Sequence, residues 1–277
     1  MQCKNCEQPL TETNCYCGDC GAKVIGHRLT LRYLASEVYQ GFFSIDSNKP
    51  LRTFVDLFRK PEAVIDGYIQ GVRKRYINAF GYFTIAVTIS SLFFFVFLQF
   101  FPEYLSLSAY QQPDMTAEQI ALQQKWNRLI FENQTIVLFL SIPLFALISK
   151  LIFLRNKKYN YTEHLVINLY AYSQISIFMV LLYFSTIWVE PIFYGAMLIA
   201  MPVQVIYYSY VLKRLYGLTL SKTLLKVLLF LMILSVVFII AIAIALIIML
   251  FTGQLEALIE AERAKQGISY IASSAIN

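Results

Sequence analysis

Val227–Phe251, VLLFLMILSVVFIIAIAIALIIMLF, is the stretch on which the fold turns. Its one polar interruption is Ser235. A hydrocarbon core about 30 Å thick takes roughly 20 helical residues to cross, so this run is long enough for one passage. Lipid offers the backbone no hydrogen-bond partners, so each N–H and C=O must be satisfied inside the element, and a lone run of this kind reads as a helix.

Four earlier runs have similar length and character: residues 80–101, 135–154, 165–188 and 191–212. The third and fourth are diluted by Asn168, Gln174 and Gln204 and joined only by Val189 and Glu190, which suits a helical hairpin. Pro143 and Pro202 are placed to kink the second and fourth. Composition agrees. The 277 residues are 58% hydrophobic and 14% charged, whereas soluble domains carry about a quarter charged residues. The 22 Phe and 19 Tyr suit the two membrane interfaces.

The net charge of +6 is explained by its distribution. Eighteen of the 23 Lys and Arg residues fall before the first span or in the loops after the second and fourth, and Lys150 lies just inside the inner end of the second span. The opposite side holds Lys125, Arg128, Arg263 and Lys265 among eight acids. Basic loops stay cytoplasmic, so the N-terminus is expected inside and the C-terminus outside.

All five cysteines lie in the first twenty residues. Cys3-x-x-Cys6 and Cys17-x-x-Cys20 are two turns that can each aim two thiolates at one point, the tetrahedral arrangement that Zn²⁺ prefers. Gly18 and Gly21 offer backbone freedom to such turns. Residues 1–24 are therefore expected to form a small four-cysteine zinc ribbon, held folded by a structural metal because so short a segment builds no core. Cys15 stands too close to Cys17 to replace either ligand. Disulfides, an iron–sulfur cluster or an unmetallated tail remain alternative readings. A cytosolic N-terminus disfavours disulfides.

Residues 25–78 read as amphipathic juxtamembrane helices. Leu31, Leu34, Val38 and Phe42 recur at helical spacing. Pro50 opens a second helix bearing Leu51, Phe54, Val55 and Phe58. Pro61 opens a third bearing Val64, Ile65, Tyr68 and Ile69, which Gly71 can cap. Arg73, Lys74 and Arg75, with Tyr76, then meet the headgroup layer ahead of the first span. These helices either form a platform for lipid or a partner, or pack beneath the spans. The loop 102–134 suggests one helix, opened by Thr116 with Gln119 as a capping box. Residues 79–252 form the five-helix domain and 253–277 an extracytoplasmic tail. The expected fold is thus an all-α integral membrane bundle of five transmembrane helices, preceded by the ribbon and the amphipathic interfacial helices.

Four stretches carry a family resemblance: Tyr16–Gly21 of the ribbon, Thr53–Tyr76 (TFVDLFRKPEAVIDGYIQGVRKRY), Tyr161–Val166 (YTEHLV) and Tyr210–Leu218 (YVLKRLYGL). Together they resemble an uncharacterised bacterial membrane-protein family, a domain of unknown function with an N-terminal zinc ribbon. The second stretch is the most specific. Ala79 stands where the family pattern has proline. The resemblance implies a multi-pass protein of the bacterial cytoplasmic (inner) membrane and no established activity. The five-span layout is also similar, at the level of architecture alone, to Yip-type proteins.

Among polar candidates, Glu163 and His164 open the third span. Neighbours on a helix point about 100° apart, so they cannot share one face. Glu163 suits a helix start, where an acid complements the dipole, and His164 can titrate near neutral pH. His27 reads as a surface histidine. Asn168, Gln174 and Gln204 either bond across helices or, with Tyr172, line a polar pathway. No acid sits at mid-membrane depth, which argues against an ion-driven pump. The chain has no Gly-x-Ser-x-Gly elbow, phosphate-binding loop, dinucleotide fingerprint or His-Glu-x-x-His. The expected function is a non-enzymatic scaffold or adaptor, whose ribbon engages a protein partner and whose basic helices engage anionic membrane lipid. A small-solute transporter or channel is the alternative, and a lipid-modifying enzyme using Glu163 and His164 is a weaker one. Nucleic acid is not an expected partner, since the strongest basic cluster is committed to the membrane surface.

Overall fold

The computed structural model describes residues 2–11, 14–24, 29–31, 49–102, 104, 124, 127–129 and 131–251. The helix expected around Leu34, Val38 and Phe42, His27, the Thr116–Gln119 capping box, Lys125, and the tail from residue 253 lie outside them. Among the described residues the protein is helical, without strands. The helices are α1 (Lys49–Arg59), α2 (Pro61–Gln70), α3 (Ala79–Phe100), α4 (Gln134–Ile152), α5 (Tyr161–Thr186), α6 (Glu190–Tyr216) and α7 (Leu220–Phe251). Five of them, α3 to α7, are long and apolar enough to cross a membrane. The protein is a multi-pass membrane protein.

Why α5 carries amides in its sequence becomes clear from its position. It packs against α3, α4 and α6, and α1 and α2 also rest on it. In its most apolar stretch 67% of residues are buried, against 33%, 28% and 22% in α3, α4 and α6. A helix surrounded by protein can carry amides and hydroxyls that bond to its neighbours. The outer faces of the surrounding helices instead expose Leu92, Phe95, Leu140, Ile199 and Ile206. So much continuous apolar surface suits lipid and not water. At one end Phe93, Phe97, Val180, Ile187, Phe193 and Tyr194 close an aromatic-rich cluster between α3, α5 and α6. Tyr104 joins it and donates to the Ile187 carbonyl at 3.1 Å.

Several helix ends have an identifiable cause. Asn78 caps α3, its side chain accepting from the Gly81 N–H at 2.6 Å. That supplies a local entry signal for the helix. Asn160 and Glu163 form a reciprocal capping box at the start of α5. The helix therefore begins at Tyr161, ahead of its apolar run. Gly71 and Gly217 sit at φ 109° and 60°, ending α2 and α6 in left-handed turns. The basic loop residues have a second use besides orientation. Lys158 donates to the Leu215 carbonyl at 2.5 Å and Lys226 to the Ile152 carbonyl at 2.6 Å, so ammonium groups meet the negative ends of α6 and α4.

Residues 228–251 belong to a unit separate from the rest of the described chain. There the Ser235 hydroxyl donates to the Leu231 carbonyl of the same helix at 2.8 Å. The one polar side chain of that apolar run is thus satisfied without a neighbour.

Candidate metal centre and the helix ends that carry it

The ribbon is built from two equivalent turns. In the first, Glu7 N donates to Cys3 O and Cys3 N to Gln8 O, both at 2.8 Å. In the second, Gly21 N donates to Cys17 O and Cys17 N to Ala22 O, again at 2.8 Å. Each turn has a left-handed residue directly after its second cysteine. Gly21 supplies one at φ 61° and Glu7 the other at φ 66°. Gly18, given the same use in the sequence reading, is not among the positive-φ residues.

These turns bring the Sγ atoms of Cys3, Cys6, Cys17 and Cys20 within 4.8 Å of one another. Cys3 and Cys20 are 3.7 Å apart and Cys6 and Cys17 3.6 Å. A disulfide needs about 2.05 Å. A tetrahedron of thiolates with metal–sulfur bonds of about 2.3 Å has edges near 3.8 Å, so the four sulfurs could hold one metal ion. Cys15 is exposed and stays outside the cluster, but its carbonyl accepts from Val24 N at 2.9 Å and closes the second turn. The thiols are shifted in opposite directions by their surroundings. The Ala22 N–H draws the Cys20 thiol down to about 6. The N–H groups of Cys6 and Asn5 lower Cys3. Cys6 also receives the Gln8 N–H, yet desolvation and the adjacent sulfurs push it up to about 12. Four thiolates at this spacing repel one another, and a bound cation reverses that balance.

The ribbon is tied to the membrane domain by Lys74, whose Nζ donates to the Cys20 carbonyl at 2.5 Å. A cavity of about 90 Å³ is lined by Cys3, Asn5, Leu10, Ala22 and Gly71 among others. The three basic residues expected at the lipid surface thus separate. Lys74 serves the ribbon. Arg73 lies 3.7 Å over the Tyr68 ring and donates to the Tyr68 carbonyl at 2.5 Å. Arg75 stays exposed beside Tyr76.

Next to the ribbon, α1 and α2 pack on the spanning helices, with Leu57, Val64 and Ile65 fully buried. The Phe58 ring meets Phe178 at 5.7 Å. Phe178 lies about 25 Å along α5 from Tyr161 at 1.5 Å per residue. Pro61 brings no N–H, and Lys60 before it leaves helical geometry at φ −150°. The last carbonyls of α1 consequently lack helical partners. Side chains of the spans supply them: Tyr207 donates to Leu57 O at 3.2 Å, and Tyr210 to Phe58 O at 3.0 Å and Arg59 O at 3.2 Å. Further along, Gln174 donates to Phe54 O at 2.9 Å and accepts from Tyr82 at 2.5 Å. Tyr170 donates to Ile77 O at 2.6 Å. Arg214 pairs with Glu62 through Nε and a terminal nitrogen, and this guanidinium holds the Glu62 carboxyl below its usual range. Tyr159 donates to Asp66 at 2.7 Å. The sequence carried the Tyr and Gln residues in view, but nothing in it assigned their acceptors.

Of the remaining polar candidates, His164 and Asn168 meet at Ser149. His164 is fully buried, its Nδ1 2.8 Å from Ser149 Oγ and its Nε2 3.0 Å from Tyr216 OH. Ser149 also meets the Ala146 carbonyl at 3.0 Å and receives Asn168 Nδ2 at 3.3 Å. One assignment satisfies both ring nitrogens. Tyr216 donates to Nε2, Nδ1–H donates to Ser149, and Ser149 donates to Ala146 O while accepting from Asn168. Both imidazole nitrogens are thus held in hydrogen bonds inside the bundle. Glu163 is spent on the capping box. Gln174 faces α1 and α3, whereas Asn168 faces α4. Gln204 is half-buried on α6, with no hydrogen bond to either amide. His164 and Asn168 share Ser149, Glu163 caps the helix start, and Gln174 bonds to α1 and α3.

Residues 48–95 match the family described as Protein of unknown function (DUF3667). The match covers α1, α2 and most of α3, and contains the stretch Thr53–Tyr76. No curated protein and no solved structure matches the chain. In space that stretch meets the stretch Tyr210–Leu218, which in turn meets Tyr161–Val166: Glu62 pairs with Arg214, Tyr210 holds Phe58 and Arg59, and His164 meets Tyr216. The ribbon joins the same region through Lys74.

Proposed function

We propose that this protein is a non-enzymatic membrane scaffold, whose ribbon holds one structural zinc ion and offers a partner-binding surface at the cytoplasmic face of a bacterial inner membrane. The observation that carries the reading is a four-thiolate cage with no open position, seated directly on the membrane domain. Zinc suits it because four sulfurs in a tetrahedron fill its coordination and leave no site for water or substrate. When bound, the ion holds four thiolates together and keeps the ribbon folded. The distribution of Lys and Arg supports an inside N-terminus and an outside C-terminus. The hydrogen bonding of both His164 nitrogens within the bundle supports the non-enzymatic reading.

The test is crosslinking of the full-length chain in its native membrane through a photoreactive residue at Tyr16, which is exposed on the ribbon. A discrete protein adduct that disappears in C17S/C20S is expected. An adduct pattern unaltered by that substitution, or capture of lipid alone, would overturn the proposal.

A further inference from the structure

The geometry points to a binding site for the phosphate of an anionic lipid headgroup, formed by Arg52 and Arg75 around the Tyr76 ring. Arg52 Cζ lies 5.9 Å and Arg75 Cζ 5.5 Å from the centroid of that ring. Both side chains belong to exposed residues, and neither pairs with a carboxylate among the described residues. The nearby acid is otherwise engaged: Asp56 accepts from Tyr76 OH at 2.8 Å and lies 3.7 Å from Lys60. Donation to a carboxylate enriches the ring that faces the two cations and strengthens their hold on it. The guanidinium groups are therefore positioned by an aromatic platform, yet keep donors for a phosphate.

The source of that phosphate follows from position. Tyr76 stands three residues before Ala79, where the spanning helix α3 begins. A side chain so close to the start of a span lies within the headgroup layer. Beside Arg52, Leu51 is 70% exposed, an apolar side chain at the level where acyl chains start. Of the basic run read in the sequence, the site keeps Arg75 alone. Lys74 and Arg73 are drawn to the ribbon and to Tyr68, and Arg52 enters from a different helix. It requires the membrane reading but not the zinc ribbon, so failure of the partner crosslink leaves it standing.

The test uses the full-length chain reconstituted with equal phosphatidylglycerol and phosphatidylcholine, followed by native mass spectrometry of retained lipid. Wild type should retain phosphatidylglycerol preferentially. R75Q should lower that preference roughly fivefold, the equivalent of about 1 kcal/mol per basic residue at an anionic surface, and R52Q/R75Q should lower it further. R59Q, at an exposed arginine of α1 away from the ring, should leave it unchanged. Should the double variant fail to fold, R75Q alone decides. Wild-type preference in R75Q, an equal loss in R59Q, or equal loss on adding free inorganic phosphate would each overturn the site.

Discussion

Replacing Tyr207 by phenylalanine isolates the contact that fastens α1 to the spans. The ring keeps its edge-on packing with Phe58, 5.5 Å away, and only the hydroxyl is lost. That hydroxyl serves the Leu57 carbonyl, and Leu57 is fully buried. The helical amide that would take over is missing, because the residue four positions on is Pro61. Leaving a buried carbonyl unsatisfied costs about 1–3 kcal/mol. If α1 opens locally, this cost appears as faster amide exchange in residues 49–70, roughly fivefold to 150-fold, at a factor of ten per 1.36 kcal/mol. Hydrogen exchange of the detergent-solubilised chain, read by mass spectrometry, measures it. Tyr210→Phe is the control: its two acceptors lie nearer the surface, so its effect should be smaller. Unchanged exchange in Tyr207→Phe, or a larger effect from Tyr210→Phe, would refute the claim that tyrosines of the spans complete α1.

Other outcomes follow from the same contacts. C17S/C20S should abolish metal binding, measured by elemental analysis, while helix content by circular dichroism stays near wild type. H164A should leave metal content unchanged but lower thermal stability, by about 1–3 kcal/mol for the buried partners it strands. Asn160→Ala should destabilise the start of α5 by about 1 kcal/mol, seen as faster exchange over its first turn. The Glu62 carboxyl is lowered in the folded state by Arg214, so their pairing contributes at neutral pH. That contribution is lost as pH falls below about 4. Because the pair is partly exposed, acid titration of stability should show at most about 1 kcal/mol, absent in E62Q.

The spans and the cysteine cage were legible because each rests on a signal that survives without three-dimensional context. Residues 227–251 are apolar almost without interruption, and two Cys-x-x-Cys turns have one economical use. Glu163 was similarly legible as a helix-start acid, because capping is local. The destinations of long side chains were not. Lys74 and Arg75 are neighbours of one charge type, yet one reaches the ribbon and the other stays exposed. Only tertiary placement of Cys20 distinguishes them. Gln174 read as helix glue or pathway lining, and its acceptor, the Phe54 carbonyl, lies more than a hundred positions away. Glu7 was missed for another reason. Its left-handed backbone comes from the symmetry of two turns, and a charged residue gives no sign of it.

Zinc K-edge X-ray absorption of the full-length protein, purified in detergent without added metal, probes the metal centre most directly. Four sulfur neighbours at about 2.3 Å, with one zinc per chain, are the expected result. A first shell containing nitrogen or oxygen, or a chain that folds fully with no metal bound, would contradict it.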